Sequence, residues 1–470
     1  MAVCIRPLKK GELIGSMRGA PIEKLLSRRI EMAELTKKKS GWAWAVAGAG
    51  FGTQMIVTFC LAMFGISIAL VAEDFGVAVT SLAICSSIFG VTYGGFGVVW
   101  GNLADRIGIR AELSIAGIGA GIWAIVFGLF ASDVVSAAII WGLTGAFCSG
   151  ISTGVVPKVV TSWFSTQWRG KGFTLVSIGG AIAGMLVGIL IPPVAGFGGW
   201  QMVFMVFGGT NVVLGILCLV LVRDTPESIG TVPFGADPET YVPVKPTKDM
   251  TPEERAEKKA EDRRKILIVL KHPMTWKLGV MLIVWQLCLT TVSTYLTAGI
   301  IAGGVSLEIA AFVSTLKTAG MFCSQLVCPS LTDKFGRKPV FLFLMIGDCI
   351  LFVTLFLILG SANTIIIYVI GFLAGVFDAQ APVMQSSLGE SFPKSLRGTG
   401  PGMVTTITLV GRFFGPILAA FAINTIGGGL TTFAFVWAAA MSLLCAIIGV
   451  FVIPKTGGKY GDPIADEVWE

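Results

Sequence analysis

The chain has 470 residues, of which 54% are hydrophobic and only 13% charged, and its mean hydropathy is +0.81. Soluble domains carry about 25% charged residues, so a string of soluble domains is excluded and a bilayer-embedded protein is the class that fits. The formal net charge of +7 is scattered over short loops, which argues against nucleic-acid binding and for the basic bias of loops on one membrane face.

Residues 1–40 are polar and predict a cytoplasmic tail rather than a cleavable signal peptide. Within it Ile22, Leu25, Leu26 and Ile30 recur at helical spacing among Arg and Lys, a pattern shared by a surface-lying helix and an ordinary flexible tail. Six apolar runs follow, at 42–71, 80–101, 111–131, 134–160, 173–195 and 200–222. Residues 223–275 form a Pro-rich, charged linker in which Thr251-Pro252-Glu253-Glu254 has the form of a helix start. Six more runs lie at 276–302, 307–330, 339–360, 364–389, 399–424 and 431–453, before a polar C-terminal tail, 454–470. Each run is long enough for a hydrocarbon core that takes about 20 helical residues. The chain thus predicts an all-α membrane protein with twelve spans, divided into bundles at 41–222 and 276–453.

The loops on one side carry Glu73, Asp74, Asp133 and Glu308 without Lys or Arg. The opposite loops carry Arg106, Arg110, Arg169, Lys171, Lys334, Arg337, Lys338, Lys394 and Arg397. The positive-inside rule then places both termini in the cytoplasm. Nine of the ten cysteines lie in apolar runs and none is at metal-ligand spacing, so they read as small core residues with no metal or cofactor implied. No Gly-Lys-Ser/Thr phosphate loop occurs, which argues against ATP drive. The single histidine, His272, has no nucleophile–base or metal cluster around it in sequence, which argues against an enzyme. Gly180, Gly184 and Gly188, and Gly90, Gly94, Gly95 and Gly97, predict faces where helices approach closely.

Two signatures occur twice at one offset. Asp105-Arg106-Ile107-Gly108-Ile109-Arg110 returns as Asp333-Lys334-Phe335-Gly336-Arg337-Lys338, and Phe164 with Arg169-Gly170-Lys171-Gly172 returns as Phe392 with Arg397-Gly398-Thr399-Gly400. Both repeats are 228 residues apart (333 − 105 and 392 − 164). The chain is therefore two copies of one unit, and repeat folds of this kind place their site where the copies meet.

The doubled Asp-Arg/Lys-x-Gly loop resembles the loop-2/3 and loop-8/9 signatures of the major facilitator superfamily. That resemblance implies two pseudo-symmetric six-helix bundles, with spans 7, 8, 10 and 11 at a central cavity and span 9 outside it. Gly41-Trp42-Ala43-Trp44, Glu73-Asp74-Phe75-Gly76 and Trp163-Phe164 with Arg169-Gly170-Lys171-Gly172 resemble monocarboxylate and oxalate–formate transporters, although Lys39-Ser40-Gly41 stands where monocarboxylate transporters have an acidic residue and glycine. Glu390-Ser391-Phe392-Pro393 with Arg397-Gly398-Thr399-Gly400 is similar to sugar and aromatic-acid transporters.

Four ionisable residues fall deep in the second half: Lys317, Asp348, Asp378 and Arg412. Each costs on the order of 2.5–3.5 kcal/mol at the bilayer centre unless it has a partner or a wet cavity. They can close on one another as structural ion pairs, or Lys317 and Arg412 can face the cavity and bind a carboxylate. In oxalate–formate-like transporters cations in spans 8 and 11 bind anions, which is the role the resemblance implies for these two. Asp378 is the proton-coupling candidate, because a carboxylate that loses its cation to a substrate anion gains a proton. Asp348 is read as structural, and Lys158 as a side chain that reaches the surface or extends the anion path. Gln54, Tyr93, Gln286 and Tyr295 are candidate hydrogen-bonding contacts. Asp105, Arg106, Arg110, Arg169, Asp333, Arg337, Glu390 and Arg397 are candidate gating residues.

The expected function is secondary transport of a small organic anion, a carboxylate, across the cell membrane by alternating access, with proton coupling or anion exchange, by a monomer. A neutral or cationic substrate with purely structural charges, or a membrane sensor that carries nothing, are the alternatives.

Overall fold

The computed structural model describes residues 41–152, 155–237, 252–360 and 363–454. The expected surface helix near Ile22, the cap at Thr251, the distal C-terminal tail and the side chain of Lys158 lie outside the described residues.

The described chain is almost wholly helical, and its helices group into twelve spans. Span 1 is Trp42–Asp74. Span 2 is Ala83–Gly95 continued by Gly97–Ile107, with a bend of 42° between them. Span 3 is Ile109–Phe130, and span 4 joins Val134–Ser152 to Val155–Trp163. Spans 5 and 6 are the two helices within Arg169–Leu221, separated where Gly198 and Gly199 leave helical backbone angles; Gly199 has φ 70°. After the linker helix Pro252–Lys271 come span 7 (Pro273–Ala302), span 8 (Leu307–Phe335) and span 9 (Arg337–Ile358). Span 10 is Thr364–Phe377 plus Gln380–Glu390, span 11 is Thr399–Ile407 plus Leu409–Thr425, and span 12 is Phe433–Val452.

The break in span 10 has a local cause. Pro382 lies in the first turn of the second segment, where its missing N–H is harmless. A proline ring clashes with the carbonyl four residues earlier, which here belongs to Asp378. The helix therefore stops at Phe377 and leaves Asp378 at its end.

Spans 2 and 4, 3 and 6, and 1 and 6 pack together in the first half, and spans 8 and 10, 9 and 12, and 7 and 12 do so in the second. Across the seam, span 5 meets span 8, span 2 meets span 11, and span 1 meets span 7. Glycines set these crossings. A Cβ on Gly65 would lie 2.1 Å from the Ser293 carbonyl oxygen, and one on Gly188 would lie 2.2 Å from Thr315 Oγ1. A Cβ on Gly94 would lie 1.8 Å from a Leu409 methyl, and one on Gly90 would lie 3.2 Å from the Arg412 carbonyl oxygen. The expected close-approach faces are therefore real at Gly90, Gly94, Gly184 and Gly188. Gly180 instead faces Thr58 within its own half, while Gly95 has open space beside it.

The seam is closed toward the acidic loops. Thr80 donates to Asn424 Oδ1 at 3.2 Å, and Thr315 donates to the Met185 carbonyl at 3.0 Å. At the basic-loop end the bonds of Arg110, Arg169, Arg337 and Arg397 run within one half each.

Candidate functional site

A cavity of about 220 Å³ lies on the seam, walled by spans 1, 2, 4, 7 and 11. Three expected contacts line it: Tyr93, Gln286 and Arg412. Helical spacing explains the arrangement, since residues three or four apart share a face. Phe89 and Tyr93 come from span 2, and Gln286, Thr290, Ser293 and Thr294 from span 7. The Arg412 guanidinium carbon lies 5.2 Å from the centre of the Tyr93 ring, a cation–π placement. Thr290 and Ser293 donate their hydroxyl protons back to the Gln286 and Thr290 carbonyls at 2.8 and 3.1 Å, so toward the cavity these two oxygens offer lone pairs.

A second cavity, about 500 Å³, lies between spans 2, 10 and 11 and is lined by Gly97, Val98, Gln385, Pro401 and Thr405 among others. Tyr93 and Arg412 line both cavities. Their stacked pair is the partition between the central chamber and the space on the basic-loop side.

Lys317 is placed elsewhere. Its ammonium pairs with the Asp378 carboxylate between spans 8 and 10, and both side chains are nearly buried. The two helices touch backbone to backbone there: a Cβ on Gly375 would lie 1.8 Å from the Lys317 carbonyl oxygen. Asp348 joins this region through Gln380. The Gln380 amide donates to Asp348 Oδ2 and to the Phe377 carbonyl, which the helix break frees, and Trp285 Nε1 donates to Gln380 Oε1 at 3.3 Å. Of the four deep charges, the structure thus brings Lys317 and Asp378 together and leaves Arg412 on the cavity.

Two other expected contacts are off the chamber wall. Tyr295 is fully buried and its hydroxyl donates to the Pro416 carbonyl at 3.3 Å. Gln54 is half-buried on span 1 and lies beside Gly180.

The expected gating residues mostly brace single halves. Arg337 bonds Asp333 and Glu390, each at 3.0 Å, which ties loop 8/9 to the end of span 10. Arg110 donates through Nε to the Leu219 carbonyl at 2.7 Å, and its backbone N–H meets Asp224 at 2.9 Å. The second repeated motif has one local job in both copies. Arg169 Nε donates to the Phe164 carbonyl at 3.2 Å, and Arg397 Nε donates to the Phe392 carbonyl at 3.4 Å. Each arginine satisfies a carbonyl at the end of a span. Asp105 and Arg106 are exposed at the basic-loop face.

Sequence reasoning missed the aromatic wall, Phe64, Phe89 and Trp141, and the hydroxyls Ser86, Thr290, Ser293 and Thr294. The cluster Thr290, Thr291, Ser293 and Thr294 inside an apolar run was the available signal for the hydroxyls. The aromatics gave none, because in an apolar span they look like any core residue.

The Major Facilitator Superfamily profile matches residues 50–303 and 300–467. The membrane sensor protein UhpC of Salmonella typhimurium is 30% identical over 33% of this chain and 35% of its own length. A probable hexose phosphate transport protein of Chlamydia pneumoniae is 27% identical over 44% of this chain and 45% of its own. These two matches thus span less than half of either relative. The probable 4-methylmuconolactone transporter of Cupriavidus pinatubonensis is 25% identical over 90% of this chain and 91% of its own. The crystal structure of a D-xylose–proton symporter shares the fold, with a TM-score of 0.70 at 15% identity over 90% of this chain and 100% of that one. With both halves matched by the profile and twelve spans arranged about a central cavity, the chain is an integral multi-pass membrane protein that belongs to the Major Facilitator Superfamily.

Proposed function

We propose that this protein is a monomeric secondary transporter that moves a small organic anion, a carboxylate, across the cell membrane by alternating access, with both termini in the cytoplasm. One observation carries the reading. Arg412 stands on the wall of the central cavity and, among the described residues, has no carboxylate partner, whereas Lys317 is already neutralised by Asp378. A guanidinium in the membrane calls for a counter-charge, and its planar fork matches a carboxylate. Gln286 adds an amide on the same wall.

A single free cation matches a single negative charge. That favours a monocarboxylate over a phosphate dianion, despite the name of the Chlamydia relative. A relative matched over 91% of its length is named for 4-methylmuconolactone instead.

The anion binds Arg412 and loosens its contact with Tyr93, the partition between the chambers. The halves then rock about the glycine crossings, and the exposed Asp105–Arg106 loop closes against the second half at the basic-loop face. Proton coupling runs through Asp378: its protonation loosens the pair with Lys317 that ties span 8 to span 10.

A second reading follows from the UhpC match: the chain binds its solute and signals without carrying it. Flux separates the two. The test is uptake into proteoliposomes under an inside-alkaline pH gradient, with labelled mono- and dicarboxylates and a neutral sugar. Accumulation of an anion that is lost in Arg412→Gln supports the proposal. Transport of neutral compounds alone, unchanged by that substitution, overturns it. Binding without flux selects the sensor, and exchange without any pH effect removes the proton role from Asp378.

A further inference from the structure

We infer that the central chamber takes a flat, unsaturated monocarboxylate, a single ring or a short conjugated acid, in preference to a saturated or polyhydroxylated acid of equal size. The inference rests on the reading of Arg412 as the anion contact and narrows it to a substrate class.

The observation is the shape of one wall. Trp141 lies near-parallel to Phe64, with ring centres 5.2 Å apart and planes 23° apart, and to Phe89, at 5.3 Å and 24°. Phe89 lies near-parallel to Tyr93, at 5.9 Å and 13°. Arg412 then covers Tyr93. Spans 1, 4, 2 and 11 each contribute to this series of four rings ending in a guanidinium, and all five side chains line the cavity. No local helix pattern produces it; four separate spans converge on it.

The chemistry follows from the geometry. Aromatic rings are rigid and favour offset-stacked or edge-on contact with another π system, with a gain beyond buried area worth about two- to tenfold in affinity per contact. A planar ligand can lie along this wall with its carboxylate on Arg412. A puckered saturated ring with the same number of carbons has the same apolar bulk but no flat face to present. A polyhydroxylated acid would leave its hydroxyls against ring carbons that return no hydrogen bond. Span 7 offers the Thr290 and Ser293 oxygens as acceptors for one polar ring substituent. The volume of about 220 Å³ lies below the roughly 300–1,000 Å³ of drug-sized sites, so a single ring is the upper bound.

The test compares benzoate with cyclohexanecarboxylate, which share their carbon count and charge and differ in planarity. The full-length protein in proteoliposomes is given labelled benzoate and, separately, labelled butyrate, each displaced by the three unlabelled acids. Benzoate displacing at least threefold better than cyclohexanecarboxylate supports the inference. So does a fall of that ratio toward one in Phe89→Leu, checked for a monodisperse elution profile. Equal displacement by the two ring acids in the wild-type protein overturns it, and that comparison needs no variant to fold. Binding of butyrate but not benzoate, abolished by Arg412→Gln, also overturns the planar class while leaving the anion site standing. Benzoate binding unchanged in Arg412→Gln overturns the anion site itself, and the inference falls with it.

Discussion

At the residue scale, the Lys317–Asp378 pair is the sharpest prediction. Removing one partner of a buried pair strands a charge and costs about 3–5 kcal/mol, whereas replacing both with apolar groups of similar size is often neutral. Both side chains here are at most 15% exposed. Asp378→Asn is therefore expected to lower the thermal unfolding midpoint in detergent sharply, and Lys317→Met with Asp378→Leu to recover most of the loss. If the double variant is no more stable than Asp378→Asn, the pair is not a closed unit. The repeated Arg-Gly-x-Gly motif gives a second prediction, because its two glycines differ. A Cβ on Gly400 would lie 2.2 Å from the Phe392 ring and one on Gly172 would lie 3.0 Å from the Phe164 ring, while Gly398 and Gly170 face open space. Gly400→Ala is expected to destabilise by about 1–3 kcal/mol through overpacking, Gly172→Ala by less, and Gly398→Ala and Gly170→Ala hardly at all. Equal effects at Gly398 and Gly400 would show that the ring seat is not what the motif provides. These examples also mark what sequence can tell. The positions of the four deep charges were legible, because an ionisable residue in an apolar run is conspicuous. Which of them pair was not, because it depends on a backbone crossing at Gly375 that only the fold defines. The repeated arginines were legible as a motif, but their bonds to Phe164 and Phe392 were hidden, since a carbonyl five residues back has no signature in sequence.

At the element scale, broken helices put the deep charged residues where straight ones would not. Pro382 stops span 10 at Asp378, and Pro416 in span 11 stands in the same four-residue relation to Arg412. Each proline therefore acts on the carbonyl of a membrane-embedded charged residue. Sequence reading separated spans 5 and 6 where Gly198 and Gly199 break the helix, but counted spans 10 and 11 as plain apolar runs. The apolar pattern reports where lipid is, and it says little about where the backbone bends inside the bilayer. A straightened span 10 would swing Asp378 relative to Lys317. Pro382→Ala is thus expected to keep or raise thermal stability while lowering pH-driven uptake several-fold, a trade between rigidity and activity. The check is a parallel measurement of unfolding midpoint and uptake. Loss of stability together with full uptake would mean that the break plays no part in placing Asp378.

At the scale of the whole molecule, the two halves share a scaffold but not its decoration. Gly184 and Arg412 stand 228 residues apart, as do Gly90 and Thr318. The contact of Gly184 with Thr318 across one seam is therefore the counterpart of the contact of Arg412 with Gly90 across the other. Symmetry supplies two equivalent crossings, and an arginine in place of one glycine puts a single cation at the centre. The closed end of the seam depends on these small residues. A side chain at Gly65 would enter the space of the Ser293 carbonyl oxygen, 2.1 Å away, and that clash exists only while spans 1 and 7 are closed at the acidic-loop end. Gly65→Val is therefore expected to shift the population toward a state closed at the basic-loop end and open at the other. A swing from 1:99 to 99:1 takes about 5.5 kcal/mol, and overpacking of about 1–3 kcal/mol would make a partial shift of roughly five- to more than a hundredfold in the ratio. Reactivity with a membrane-impermeant maleimide reads it out, in a background with the exposed Cys323 replaced. A cysteine at Thr405, in the basic-side cavity, should label more slowly in Gly65→Val, and one at Ser86, in the central chamber, should become reachable from the acidic-loop side. Unchanged labelling at both positions in a folded variant would mean that the glycine crossing is mere packing and that the closed end of the seam is held elsewhere.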